Sequence, residues 1–472
     1  MEIALKNIGL NRWQIEKQPG MKAEVLIFAK QELLPDIQKD RSLSQLIEAA
    51  SLPKLISPVI GMPDIHEGFG LPIGGVMATE GLISAGAVGM DINCGVRLLT
   101  SKLKYDAKIF SPELLHLLIN KIEQLVPVGL GHKQRQKLAG LDFEEIIIWG
   151  VKALLKKNLA TKDDLNSIEE SGCLEGAQIK HLSLRAIERA EKELGTLGSG
   201  NHFIEIQKLA EVYQPDLARE WGLFKDQICL MIHTGSRALG HQTCLEYSQR
   251  FFQEESRYHL HSPSRNLASL PADSPSGAAY LSAMAGCVNF AFANRQLITQ
   301  AIRRVFTEVF RCPEANLILL YDVAHNIAKW ESFGKNQKKI LVHRKGATRA
   351  LPAGHPQNPA HYLTTGHPAI VPGSMGTASY IMVGLPPVEQ TFYSINHGAG
   401  RTMSRQQARK TIKLEDFEQK MSGIIYNQPF AVIADEAPQA YKDINLVVAS
   451  LEEAGLTSKV ARLKPLAVIK GN

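Results

Sequence analysis

Along this chain, short apolar runs alternate with longer stretches whose apolar residues recur at helical spacing. The short runs are rich in valine, isoleucine and leucine. They predict buried β-strands at 228–232, 317–321, 339–342, 369–371 and 380–383. The longer stretches predict helices at 112–126, 143–158, 179–194, 276–311, 411–425 and 444–455. The first carries two start signals, Ser111 as N-cap and Pro112 at the first helical position. Within the alanine-rich 276–311 stretch, Asn289, Asn294 and Arg295 read as packing or surface groups. Three runs share a grammar: those ending in His233, His325 and His343 each deliver an imidazole at or just past a strand end. Strand ends are rigid and open onto loops, which suits reactive groups.

No internal repeat or low-complexity linker divides the chain, and glycine-rich motifs are spread from Gly61 to Gly400. The expected fold is therefore mixed α+β, with short buried strands packed by helices. Residues 1–472 are expected to form a single catalytic unit around a composite site.

Composition narrows this reading. An apolar fraction of 44% and a charged fraction of 21% exclude a disordered or collagen-like chain. The net charge of +6 is compatible with a polyanionic partner without requiring one. The basic stretches at 344–349 and 401–410 lie beside histidine motifs, as solvated faces or as phosphate contacts. The six cysteines form no Cys-x-x-Cys pair. Their spacing excludes a disulfide framework or zinc ribbon and points to a reducing compartment such as the cytoplasm. No signal peptide is expected in the first thirty residues, and no run is expected to supply the ~18–20 apolar residues of a membrane span.

The candidate chemistry gathers on six histidines: His66, His202, His233, His325, His343 and His397. Asp91 and Cys94, three apart between Gly89 and Gly95, can address one ion; a buried thiol beside a turn aspartate fits equally. A glycine-rich turn leads into Asn201-His202-Phe203-Ile204-Glu205, where strand alternation sends His202 and Ile204 to one face and Phe203 and Glu205 to the other. His233 and His325 add imidazoles, and nitrogen ligands with one thiolate and one carboxylate suit Mn²⁺, Co²⁺ or Zn²⁺. Asp64-Ile65-His66-Glu67 offers further ligands, a general acid or base, or a plain turn. The stretch from Pro372 to Ser379 is an anion cradle or a tight turn between strands. His397, with glycines at 398 and 400 and Arg401 nearby, is a nucleophile toward phosphorus, a metal ligand or a general base.

Taken together, the motifs resemble one family. They are Gly-Met-Pro-Asp-Ile-His (61–66), Asp-Ile-Asn-Cys-Gly-Val-Arg (91–97), Gly-Ser-Gly-Asn-His-Phe (198–203), His-Thr-Gly-Ser-Arg (233–237), Tyr-Asp-Val-Ala-His-Asn (321–326), Val-His-Arg-Lys-Gly-Ala-Thr-Arg (342–349), Pro-Gly-Ser-Met-Gly-Thr-Ala-Ser (372–379) and His-Gly-Ala-Gly-Arg (397–401). In this order they are similar to the RtcB family of RNA-splicing ligases. The resemblance implies a GTP- and Mn²⁺-dependent RNA ligase acting in tRNA splicing or RNA repair. It would join RNA 3′-phosphate or 2′,3′-cyclic phosphate ends to 5′-hydroxyl ends through a histidine–GMP intermediate and then RNA(3′)pp(5′)G.

The same likeness implies roles for individual residues. Asp91, Cys94 and His202 would hold one Mn²⁺, and Cys94, His233 and His325 a second. His397 would be the guanylylated nucleophile. The nucleotide would meet Asn201, His202, Phe203, Ile204, Glu205, His325, Asn326, Pro372, Gly373, Ser374, Met375, Ser379, Gly398, Ala399, Gly400, Arg401 and Lys470. Arg237, Arg344, Lys345 and Arg349 would hold RNA or product phosphates. Expected partners are RNA ends such as tRNA halves, GTP and GMP, and an activating protein of the archease type, with no membrane. The rival readings are a metal-dependent phosphoesterase acting on RNA ends without covalent nucleotide, and a non-enzymatic RNA-binding protein. Aromatics at 7%, spread along the chain, offer the latter few stacking platforms.

Overall fold

The computed structural model describes residues 3–471 except 130, 132, 133, 135–139 and 335. Every expected strand is present. The run at 228–232 lies inside Gln227–Thr234, 317–321 continues as Ile318–Ala324, and 339–342 sits within Lys338–Lys345. Ala369–Val371 and Ser379–Gly384 close the set. Longer strands that the pattern hides are Leu55–His66 and Thr457–Lys470. Each contains proline, which donates no N–H to a ladder, and each shows register shifts where its prolines lie.

The fold is mixed α+β, built on two seven-stranded sheets. One runs Ile318–Ala324, Gly95–Lys104, Gln227–Thr234, Phe203–Val212, Thr457–Lys470, Ser379–Gly384, Ala369–Val371, with every neighbour antiparallel. The other runs Leu5–Gly9, Arg12–Ile15, Val25–Phe28, Leu55–His66, Ile73–Thr79, Lys338–Lys345, Asn326–Phe333. Ile318–Ala324 belongs to the first sheet and Asn326–Phe333 to the second, so His325 is the one residue between them.

The long helix Pro275–Phe310 starts at Ser274, whose side chain accepts from the Gly277 N–H, with Pro275 in the first turn. By length and composition it could cross a membrane, contrary to the sequence reading, but 89% of its most apolar window is buried inside the fold. Packing against the first sheet accounts for its apolarity. The helix expected at 143–158 is two, Phe143–Trp149 and Val151–Leu155, broken at Gly150 with φ +53°. That at 179–194 contracts to Leu184–Ala190 after a 3₁₀ turn, and that at 411–425 to Leu414–Lys420. Helix Arg237–Glu254 escapes the pattern because it buries Gln242, Thr243 and Ser248 beside Leu239 and Phe251.

A Cβ on Gly150 would lie 2.2 Å from the Gly172 carbonyl oxygen, and its backbone is left-handed as well. Gly150→Ala is expected to lower the midpoint of chemical unfolding, at a cost of at least about 1–3 kcal/mol from the backbone alone.

Candidate functional site

The first sheet brings its central strands into register at one end. Val96 pairs with His233, and Phe203 pairs with His233 on the other side. Cys94 precedes Gly95–Lys104, and His325 follows Ile318–Ala324, so their side chains meet His233 at the same edge. The Cys94 Sγ lies 3.5 Å from the His202 Nε2 and 3.3 Å from the His233 Nε2. The His233 and His325 Nε2 atoms are 3.3 Å apart. The His202 Nε2 is 2.7 Å from the Asp91 Oδ2. Two triads result, Asp91–Cys94–His202 and Cys94–His233–His325, each with its ligand atoms within 4.8 Å of one another, and Cys94 belongs to both.

The donor set fits a metal ion. The His202 Nδ1 donates to the Leu197 carbonyl at 3.1 Å, so its Nε2 is a bare acceptor facing a carboxylate acceptor. A shared cation satisfies both at that distance, whether a metal ion or a proton on a doubly protonated ring. The Asp91 Oδ1 is buried with no partner among the described residues. Burial drives His233 and His325 far below the usual imidazole range, so both are neutral and free to ligate. Burial, and then the Asp91 carboxylate, push the Cys94 thiol well up, so a metal must displace its proton to bind. Gly235 makes the approach possible: a Cβ there would stand 2.4 Å from the Asp91 Oδ1.

His397 stands beside these triads, its ring centroid 4.7 Å from that of His325. One oxygen of Asp64 accepts from the His397 Nδ1 at 2.7 Å, from the His397 N–H at 3.1 Å and from the Gly398 N–H at 3.3 Å. The ring proton is therefore fixed on Nδ1, leaving Nε2 as a nucleophile or base. Asp64 lies near the end of strand Leu55–His66, not in a loop, and Lys442 holds that segment through the Pro63 and Ile65 carbonyls. Sequence reasoning left Asp64 among several roles, and its partner His397 lies 333 residues away, so no local signal singles it out. His66 lines the same cavity, tied through Nδ1 to the Asp64 carbonyl and lowered to about 4 by burial. His343 is a core residue, its Nε2 accepting from the Ser84 N–H.

A cavity of about 1350 Å³ opens over this cluster. That exceeds the ~300–1,000 Å³ of an ordinary small-molecule pocket and leaves room for a second substrate. Asn201, Phe203, His325, Asn326, Lys470, the segment from Pro372 to Met375 and the segment from His397 to Arg401 line it. Four residues expected to meet the nucleotide lie outside this lining. Glu205 and Ser379 sit beneath the wall, bridged by the Gln207 amide at 2.6 and 3.2 Å. Ile204 faces the opposite side of the sheet, in an apolar cluster separate from that of Phe203. His202 stands just before strand Phe203–Val212 and faces Asp91.

The basic residues divide differently from expectation. Arg344 is fully buried on Glu331, and Arg349 is buried on Glu169 and Glu170; both are core ion pairs. Arg237 lies under the 195–200 turn, donating to Thr196. Lys345 does reach the cavity, held by the Phe69 and Gly86 carbonyls and lowered to about 8 by burial. A residue that sequence reading missed is the buried Glu436, which organises the far wall. It accepts from Arg401 at 3.1 Å, from Lys470 at 3.2 Å and from the Tyr441 hydroxyl.

The family model described as "tRNA-splicing ligase RtcB" matches residues 45–471. The chain is 41% identical over 481 residues to the tRNA-splicing ligase RtcB of Thermococcus kodakarensis, covering 99% of each chain. It is 42% identical over 484 residues to that of Nanoarchaeum equitans, covering 100% of each. Against the RNA-splicing ligase RtcB of Mycobacterium tuberculosis, identity is 40% over 437 residues, covering 90% of this chain and 100% of the relative.

Burial pushes the Glu205 carboxyl up to about 8, against the opposing pull of Gln207 and Lys470. The folded chain keeps a proton that the unfolded chain releases near pH ~4.3. Rising pH therefore erodes stability from about that point until the folded group ionises near 8. In chemical unfolding across this window, the ligand-free Glu205→Gln variant is expected to lack that part of the decline.

Proposed function

The chain belongs to the RtcB family of RNA-splicing ligases, and from that premise we propose a reading finer than RNA ligation alone. The enzyme joins an RNA 3′-phosphate or 2′,3′-cyclic phosphate end to a 5′-hydroxyl end, using GTP and two Mn²⁺ ions. The observation that carries this reading is the Asp64–His397 pair beside the twin triads. A phosphoesterase could use that nitrogen as a general base, whereas a ligase of this family needs it as the nucleophile that carries GMP, so covalent labelling separates the two.

In this reading, the His397 Nε2 attacks the α-phosphorus of GTP. A P–N bond forms, the bond to the leaving oxygen breaks, and pyrophosphate departs with that electron pair. Asp64 keeps the Nδ1 proton and steadies the positive charge on the ring. An oxygen of the RNA 3′-phosphate, formed from any cyclic end by hydrolysis, next attacks the same phosphorus. The P–N bond breaks, its electron pair returns to Nε2, and RNA(3′)pp(5′)G results. The 5′-hydroxyl oxygen then attacks the RNA 3′-phosphorus, loses its proton, and expels GMP.

Asp91, Cys94 and His202 would hold one Mn²⁺, and Cys94, His233 and His325 the other. Bound there, the metal pair supplies charge for the phosphoryl oxygens and acidifies the attacking hydroxyl. Asn201, Phe203, Asn326, Ser374, Arg401 and Lys470 would grip the nucleotide from the cavity wall, with Glu205 and Ser379 behind it. Arg401 is already fastened to Glu436, so it presents a fixed charge to a phosphate. Residues 1–472 act as one catalytic unit, in the cytoplasm, on broken or spliced RNA such as tRNA halves, with an archease-type activator as a partner.

His397→Ala is expected to bind Mn²⁺ and to form no covalent adduct with [α-³²P]GTP; label retained on that variant would reject the nucleophile. Cys94→Ala removes the ligand common to both triads. Metal analysis of the purified variant should show Mn²⁺ lost and every later step abolished, and full occupancy would count against a bridging thiolate.

A further inference from the structure

Arg295, like the neighbouring Arg97, has no exposed surface, and the steps above do not use it. It projects from the middle of helix Pro275–Phe310 into the end of the first sheet. Its Nη1 donates to the Asn93 carbonyl at 2.9 Å and to the Thr234 carbonyl at 2.8 Å. Its Nη2 donates to the Asn93 side chain at 3.2 Å, and its Nε to Asp322 at 2.9 Å. Asn93 precedes Cys94, Thr234 follows His233, and Asp322 lies on strand Ile318–Ala324, three residues before His325. One planar group thus touches the main chain next to two ligands and the strand that delivers the third.

The surroundings are shaped for this contact. A Cβ on Gly95 would stand 3.1 Å from the Arg295 Cζ, so the guanidinium lies against bare backbone. Asn93 adopts φ +52°, an uncommon conformation that Arg295 braces from two directions. The neighbouring Asn294, also fully buried, accepts from the Gly195 and Thr196 N–H groups and donates to the Thr196 carbonyl. That turn leads to Leu197, whose carbonyl fixes His202. Arg97 shares Asp322 with Arg295, so the carboxylate is held from both sides.

We propose that Arg295 is the positioning residue of the dinuclear metal site, setting the separation of Cys94, His233 and His325 by clamping the three segments that carry them. Five N–H groups in a rigid fork suit this task, whereas a lysine ammonium cannot reach all of these acceptors in one plane. The inference rests on the metal reading under Proposed function and goes beyond it, since Arg295 touches neither ion nor substrate.

The test uses Co²⁺ alone as probe, with the full-length protein, Arg295→Lys and Arg295→Met. Circular dichroism and thermal melting establish that each variant is folded. Titration then gives Co²⁺ affinity, and the sulfur-to-cobalt charge-transfer band reports how the thiolate meets the ion. Both variants are expected to lose roughly 10–100-fold in affinity, with a shifted or weakened band, and the lysine is expected not to rescue either readout. Folded variants with unchanged affinity and an unchanged band overturn the proposal. If neither variant folds, Asp322→Asn, which removes one charge and keeps the side-chain shape, decides by the same two readouts. Failure of the unmodified protein to take up Co²⁺ would instead overturn the metal reading itself, and this inference with it.

Discussion

Ligand atoms of a thiol, a carboxylate and three imidazoles crowded against one another in a buried pocket are the constraint on which this structure turns. The His202 Nδ1 proton is committed to a carbonyl, yet its Nε2 faces Asp91 and Cys94. His233 and His325 present Nε2 atoms to each other and, through His233, to the same sulfur. Packing such groups together is costly unless a cation neutralises them. The residues that enforce the crowding are therefore tuned for something other than the stability of the empty fold.

Charge and proton placement follow from that crowding. A ring next to so many acceptors needs its own proton held in a known position, and one oxygen of Asp64 does this for His397 while fixing two backbone N–H groups. Around the cavity, cations are individually tethered: Lys470 and Arg401 to Glu436, Lys442 and Lys345 to carbonyls. A phosphate entering the cavity meets charges already in place, and their reorganisation costs little.

Much of this was legible in the sequence, for physical reasons. Asp91, Cys94, His202, His233, His325 and His397 announce themselves because close approach demands glycine beside several of them. The apolar runs that carry His233 and His325 are uninterrupted, so their strands could be read directly. Leu55–His66 and Thr457–Lys470 could not, because prolines and bulges spoil the alternation. Arg344 and Arg349 look like phosphate contacts in a basic run, but their carboxylate partners lie 13 residues and more away in sequence. Arg295 looked like packing in a helix, and nothing local reveals that its acceptors lie on one loop and two strand ends of the site. Ion pairs between distant segments leave no periodic trace.

One detail of the architecture has a mechanical consequence. His325 alone separates a strand of one seven-stranded sheet from a strand of the other. An ion gripping its imidazole would act as a rivet through the seam between the two halves of the molecule. Stripping that ion would then do more than empty a pocket: it would let the halves breathe against each other, so that loading state and overall stiffness rise and fall together.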